Sequence, residues 1–206
     1  MICEHERIVH GHVHSEHIVQ LFDSTKTLAA TVAGFLDDGR TNDARLQVIA
    51  RAPHWTEIAL QLDTLGFPVE DTIAERRLMV FDAATTLAGF RRDGRVDPDL
   101  FNKVVGDLVR QQVLHGPVWI YGEIVDVLAE QGSFAEAEAL ERLWNALSQE
   151  CSLHLLCGYL SSRFTDPVTA GALQAICAAH TRARSAPADP VASWLMAEHG
   201  SRFSTH

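Results

Sequence analysis

Apolar residues recur along this chain in two rhythms, short β-rich runs and longer stretches with helical spacing, and the two alternate. Residues 18–22, 46–50, 77–81, 118–121 and 153–159 form the short runs and read as five strands. Between the first two, Leu28, Val32, Phe35 and Leu36 share one face of a helix over 27–36 that closes near Gly39. Pro53 opens the next helix, with Trp55, Ile58, Leu62 and Leu65 inward and Gly66 and Pro68 as its stop. A short helix is expected over 83–90. Asp97-Pro98 starts another, because Asp97 can cap and a proline at the first helical position gives up no hydrogen bond. Its inner face is Phe101, Val104, Val105 and Leu108, and Gly116-Pro117 ends it. Ser133 and Glu136 fit a capping box that begins a helix with Ala137, Leu140, Trp144 and Leu147 inward. Residues 169–182 read as helix and 186–190 as a linker, with a short helix near Val191, Trp194 and Leu195 after it.

Short strands separated by helices predict an α/β fold in three layers, a mostly parallel sheet of five or more strands covered on both faces. Ligand chemistry in such folds gathers at the carboxyl ends of the strands. Here those ends are Asp23-Ser24, His54, Asp82, Gly122-Glu123 and residues 159–161. The chain divides into a histidine-rich extension (1–16), one domain (17–185) and a linker with a C-terminal tail (186–206). Its 206 residues, 47% hydrophobic with mean hydropathy near zero, can bury a large core. A net charge of −10 argues against a general nucleic-acid surface, which needs clustered cations. No apolar run is long enough to cross a bilayer, and Met1 to Arg7 lack the start of a signal peptide, so cytoplasmic residence is expected. Cys3, Cys151, Cys157 and Cys177 show no paired spacing and read as reduced thiols.

Several segments, taken in order, resemble a known family. His17-Ile18-Val19-Gln20-Leu21-Phe22 resembles the His-x-Val-Gln-Phe-Tyr opening of the MEDS sensory domain, the methanogen/methylotroph DcmR-type domain. Residues 78–87, with Asp82, Ala83, Thr86 and Leu87, are similar to its strand-Asp-Ala-x-x-Thr-Leu segment. Residues 93–98 with Phe101, then Tyr121-Gly122-Glu123, Leu143-Trp144-Asn145 and residues 155–159 continue the match through about 17–184. The resemblance implies a RecA/KaiC-like fold and a place in signalling, where such domains often accompany histidine kinase or DNA-binding modules. This chain has room for neither and resembles a stand-alone sensory domain.

Three sites come from the residues themselves. A P-loop, G-x-x-x-x-G-K-[ST], wraps phosphates in backbone N–H groups while its Lys and Ser/Thr serve phosphate and Mg²⁺. Lys26-Thr27 echoes its end, but Gln20 and Thr25 stand in the glycine places and Asp23 would repel a phosphate. Asp82 ends a run like a Walker B strand and Glu123 can mimic a catalytic carboxylate, so a sheet that kept its layout and lost its phosphate loop is the reading. Metal is the second candidate: residues 3–17 hold Cys3, His5, His10, His12, His14 and His17. Along a strand His10, His12 and His14 would share a face about 6.5–7 Å apart, so His17 or Glu16 must fold back to complete a shell; a plain polar extension is the competing reading. Cys151, His154 and Cys157 cannot converge, because position 154 faces away from the other two on a strand. Cys157 itself should be buried, protonated and inert.

The third candidate is a small-molecule pocket walled by Asp23, His54, Asp82, Tyr121, Glu123 and Ser161. Glu123 either meets a ligand or complements the dipole of the helix it begins. Trp144 reads as core and Asn145 as a pocket donor or a surface group. Catalytic arrangements of Ser, Cys, His and Asp and dinucleotide fingerprints are missing from the sequence. Together with the resemblance to a sensory family, this makes the chain read as a non-enzymatic sensor that binds a small ligand or a signalling protein partner and switches conformation. Its output would pass through that partner or a homo-oligomer, with Trp194, Leu195 and Met196 as a candidate contact. The alternatives are Mg-ATP binding through Lys26, Thr27, Asp82 and Glu123, and transition-metal sensing through His10, His12, His14 and His17.

Overall fold

A computed structural model describes residues 15–185 and 189–199. The first half runs β1 (Glu16–Phe22), α1 (Thr25–Thr41), β2 (Arg45–Ala50), α2 (Ala52–Thr64), α3 (Val69–Ala74), β3 (Leu78–Asp82) and α4 (Ala83–Gly89). A small hairpin, β4 (Arg91–Arg92) and β5 (Arg95–Val96), leads to α5 (Pro98–Phe101), a π-helical turn (Asn102–Gly106) and α6 (Asp107–Gln112). There follow β6 (Val118–Gly122), α7 (Ile124–Glu130), α8 (Phe134–Glu150) and β7 (Leu153–Leu160). A 3₁₀ turn (Ser161–Phe164), α9 (Pro167–Ala178), β8 (Arg182–Ser185) and α10 (Pro190–His199) complete the chain order.

The main sheet has six strands in the order β3-β2-β6-β7-β1-β8, all parallel. Because side chains alternate along a strand, each strand supplies both faces. Val19, Leu21, Ile49, Ile120, Leu155 and Tyr159 meet the helices α4 to α9. Ile18, Leu46, Val48, Tyr121 and Leu156 meet α1 and α2 on the other side. Trp144 of α8 is buried edge-on against Phe101, as expected, and truncating such a ring costs about 3–5 kcal/mol.

The five expected strands are present, and β8 is an addition, paired to β1 over residues that the pattern had left between a helix to 182 and a linker from 186. Gly39 does not close α1, which runs on to Thr41. Its lack of a side chain serves packing: a Cβ there would stand 2.7 Å from Leu46 Cδ2 and 3.0 Å from the Trp119 ring. Asp97 caps α5 through the Asp99 and Leu100 N–H groups, with Pro98 behind it, as its type predicts. The capping box at Ser133 does not form; Glu136 accepts from the Val96 N–H at 2.7 Å instead and ties the hairpin to α8. That hairpin turns on Asp93 (φ 50°) and Gly94 (φ 80°), the left-handed pair that a two-residue turn requires. Leu65 (51% exposed) and Val104 (39%) face outward from helices where they were expected inside. In α10, Ala192 is buried and Val191 packs on the core, while Asp189 accepts from the Ala192 N–H at 2.9 Å. No helix among the described residues is long and apolar enough to cross a membrane.

Candidate functional site

Glu123 follows the last residue of β6 and is completely buried. A carboxylate out of water needs partners, and Glu123 finds them within the protein. The Arg51 backbone N–H donates to its Oε1, and His54 Nδ1 lies 2.5 Å from its Oε2. The Tyr121 hydroxyl donates to Oε2 at 3.3 Å, and Arg51 Nη1 lies 3.5 Å away. Arg51 also pairs with Asp126 at 2.9 Å and Glu130 at 3.2 Å. Arg163 grips Asp126 through Nε (2.8 Å) and Nη2 (3.1 Å) and Glu130 at 2.9 Å, and the Leu160 N–H donates to Asp126 at 3.0 Å. Burial, and after it the Glu123 charge, push the Tyr121 phenol well above its ordinary range, so it stays a donor. This network stitches the β2–α2, β6–α7 and β7 carboxyl ends together. His54, Tyr121 and Glu123 do meet, turned onto one another.

The other expected residues lie apart from that group. Asp23 and Ser24 alone join β1 to α1, and both are spent on Thr27: its hydroxyl donates to Asp23 Oδ1 at 2.7 Å and Ser24 caps the helix. The Thr27 hydrogen bond lowers the Asp23 carboxyl below its ordinary value, and Lys26 is exposed. A two-residue connection leaves no loop to wrap a phosphate. Ser161 is buried at the start of the turn that carries Arg163. His10, His12 and His14 lie outside the described residues.

Asp82 caps α4 through the Thr85 N–H at 2.7 Å and borders a cavity of about 280 Å³ under the β2–β3 side of the sheet. Gln47, Ile49, Phe81, Thr85, Thr86, Val104, Val105 and Leu108 complete its wall. Gln47 is 1% exposed, yet its Nε2 has no hydrogen-bond partner. Such an orphan costs roughly 1–3 kcal/mol. Val104 and Val105 belong to the π-helical turn, a wide turn that recurs at functional sites. Gly106 leaves room for Arg110 there: a Cβ would stand 2.7 Å from Arg110 Nη1. Arg110 Nη2 donates to Asn102 Oδ1 (3.1 Å) and Glu150 Oε2 (2.8 Å), linking this turn to the end of α8. A broader groove of about 630 Å³ between α2 and α3 carries Asp63, Glu70 and Asp71. It meets none of the unpaired buried polar atoms found among the described residues.

A second buried glutamate, Glu141 of α8, sits under β1 and β7. His17 Nε2 lies 3.1 Å and Cys157 Sγ 3.5 Å from its Oε2. The Tyr159 hydroxyl donates to Oε1 at 2.8 Å, and His180 Nε2 stands 3.4 Å from the same oxygen. His17 Nε2 is also 3.4 Å from Cys157 Sγ. Asn145 Nδ2 donates to the Ala179 carbonyl at 2.8 Å, which turns its Oδ1 to His17 Nδ1 at 2.9 Å. His180 Nδ1 donates to the Ile176 carbonyl at 2.7 Å. Burial opposes the Glu141 charge, but His180 and His17 outweigh it and hold its carboxyl well below the usual range. Burial likewise opposes a charged His180, and Glu141 reverses this and raises it. Burial, and then Glu141, push the Cys157 thiol far up, as its place in a strand suggested. His154 stacks on Trp119 across the sheet, so the Cys151, His154 and Cys157 spacing does not converge.

The profile of the family MEDS, the methanogen/methylotroph, DcmR sensory domain, matches residues 16–180. The chain belongs to the MEDS family. Membership implies a sensory, signalling role. The match takes in both buried glutamates, the cavity, and every member of the Glu141 cluster from His17 to His180. A search of curated proteins found no match to this MEDS domain.

Reading the sequence missed Arg51, Asp126, Arg163, Gln47, Glu141 and His180 as site residues. Arg51 follows β2 directly and so had the strand-end signal. Glu141 had a signal too: it lies one helical turn past Ala137 and adjoins Leu140 and Trp144 on the inward stripe.

Proposed function

We propose that this MEDS domain senses a small, largely apolar molecule carrying a hydrogen-bond acceptor, bound in the cavity beneath β2 and β3. The unpartnered Nε2 of buried Gln47, facing that cavity, carries the reading. Ile49, Phe81, Val105 and Leu108 offer apolar contact, and Asp82, Thr85 and Thr86 supply polar groups beside them. A ligand signals only by binding two states unequally. The π-helical turn is the element that can take two states: losing its extra residue would move α6 by about 1.5 Å and rotate it by about 100°. Arg110 would carry that shift to Glu150, and a partner protein or a second copy of the chain would receive it.

Saturation-transfer NMR of the full chain with small neutral ketones, ethers and amides tests this. At least one should bind, and Gln47→Leu should abolish binding while raising the melting temperature of the free protein, since it removes an orphaned amide. If none of these molecules binds, or if binding survives Gln47→Leu unchanged, the reading fails.

A further inference from the structure

The Glu141 cluster stands apart from that cavity and has a chemistry of its own. We infer that His17, Glu141, Cys157 and His180 form a binding site for one divalent transition-metal ion of the zinc class. One donor atom from each lies within 4.8 Å of all the others, so small adjustments close the set around one ion.

Three further observations carry the inference. Each histidine commits its Nδ1–H to a fixed acceptor, Asn145 Oδ1 or the Ile176 carbonyl, which directs both Nε2 atoms inward. Metal-bound imidazoles are held in this way. His180 Nε2 is buried and points at the cluster, 3.4 Å from Glu141 Oε1 but without the geometry of a hydrogen bond. Tyr159 occupies Glu141 Oε1 and leaves Oε2 beside His17 and Cys157.

Two imidazole nitrogens, a sulfur and a carboxylate oxygen suit zinc and its neighbours and do not suit calcium or magnesium, which take oxygen shells. Thiolate and carboxylate together balance the dipositive ion. On binding, the Cys157 S–H bond breaks, a metal–sulfur bond forms, and the proton leaves to solvent; a coordinating ion deprotonates a thiol even where burial resists it. The four ligands come from β1, α8, β7 and the α9–β8 connection, so the ion fastens edge strand β8 to the core. It loads as the chain folds.

The test uses the full chain, produced with Zn(II) or Co(II) present, with bound metal measured after denaturation. One equivalent of metal is expected, and the Co(II) form should show tetrahedral visible bands with a near-ultraviolet thiolate-to-cobalt band. Cys157→Ser should abolish that charge-transfer band, whereas Cys3→Ser should leave it intact and so separate this site from the N-terminal histidines. Asn145→Ala, which frees the His17 ring but removes no ligand, should weaken affinity about 10–100-fold with circular dichroism unchanged. Absence of stoichiometric metal, a cobalt spectrum without thiolate, or full retention in Cys157→Ser would overturn the inference and leave a hydrogen-bonded ion pair. If Cys157→Ser does not fold, the thiolate band of the Cys3→Ser protein and the Asn145→Ala affinity decide.

Discussion

Glu123 and Glu141 are both wholly removed from water, one at the carboxyl edge of the sheet and one beneath its middle. Around Glu123 stand a backbone N–H, an arginine that stays charged at every relevant pH, a histidine and a phenol. Around Glu141 stand two imidazoles, a thiol and a phenol, with no permanent cation among the partners described. Burial is equal, so burial does not mark the site. What differs is the company: a permanent cation stands beside Glu123, as in a structural network, whereas Glu141 is ringed by side chains of the kinds that ligate metal ions.

The largest expected break in this comparison is Arg51→Met. Removing one partner of a buried ion pair leaves Glu123 and Asp126 undercompensated, and urea denaturation should show a loss of about 3 kcal/mol. That loss should be the same with or without a chelator. Glu141→Gln should behave in the opposite way, lowering metal affinity about 10-fold or more and erasing the chelator-induced drop in melting temperature expected of the unmodified protein.

A paired phenol deletion sharpens the contrast. Tyr159→Phe removes a 2.8 Å hydrogen bond to a charged group and should cost about 1.5–3 kcal/mol. Tyr121→Phe removes a 3.3 Å contact from a carboxylate with other partners and should cost about 0.5–1 kcal/mol. Equal losses would contradict the distinction.

A further small effect belongs to an exposed carboxylate. The Thr85 backbone N–H holds Asp82 below its usual 3.8. Its folded-state value being lowered, the stabilisation is present above 3.8 and is lost as pH falls through the folded value. Asp82→Asn should keep the cap and flatten that acid-side slope, while Asp82→Ala should lose about 1 kcal/mol at neutral pH, both read from urea midpoints.

Much of the fold was legible because five of the six sheet strands are apolar runs bounded by polar or Gly/Pro residues. β8 was not: Arg182, Ala183, Arg184 and Ser185 form a polar edge strand, and only pairing with β1 makes it a strand. The strand-end rule found His54, Tyr121 and Glu123, since strand ends are local in sequence. It did not find their arginine partners as a network, which depends on sheet order. The Glu141 cluster was less legible still. His17 and Cys157 were each noticed, one grouped with the preceding histidines and one read as an inert core thiol. Only the adjacency of β7, β1 and β8 sets them beside His180.

The contrast between the two glutamates turns on whether Glu141 and its neighbours share one ion. Extended X-ray absorption at the zinc edge of the full-length Cys3→Ser protein tests that directly. One sulfur at about 2.3 Å with nitrogen and oxygen scatterers at about 2.0–2.2 Å is the predicted shell. A shell of nitrogen and oxygen alone, or one unchanged by Cys157→Ser, would contradict it.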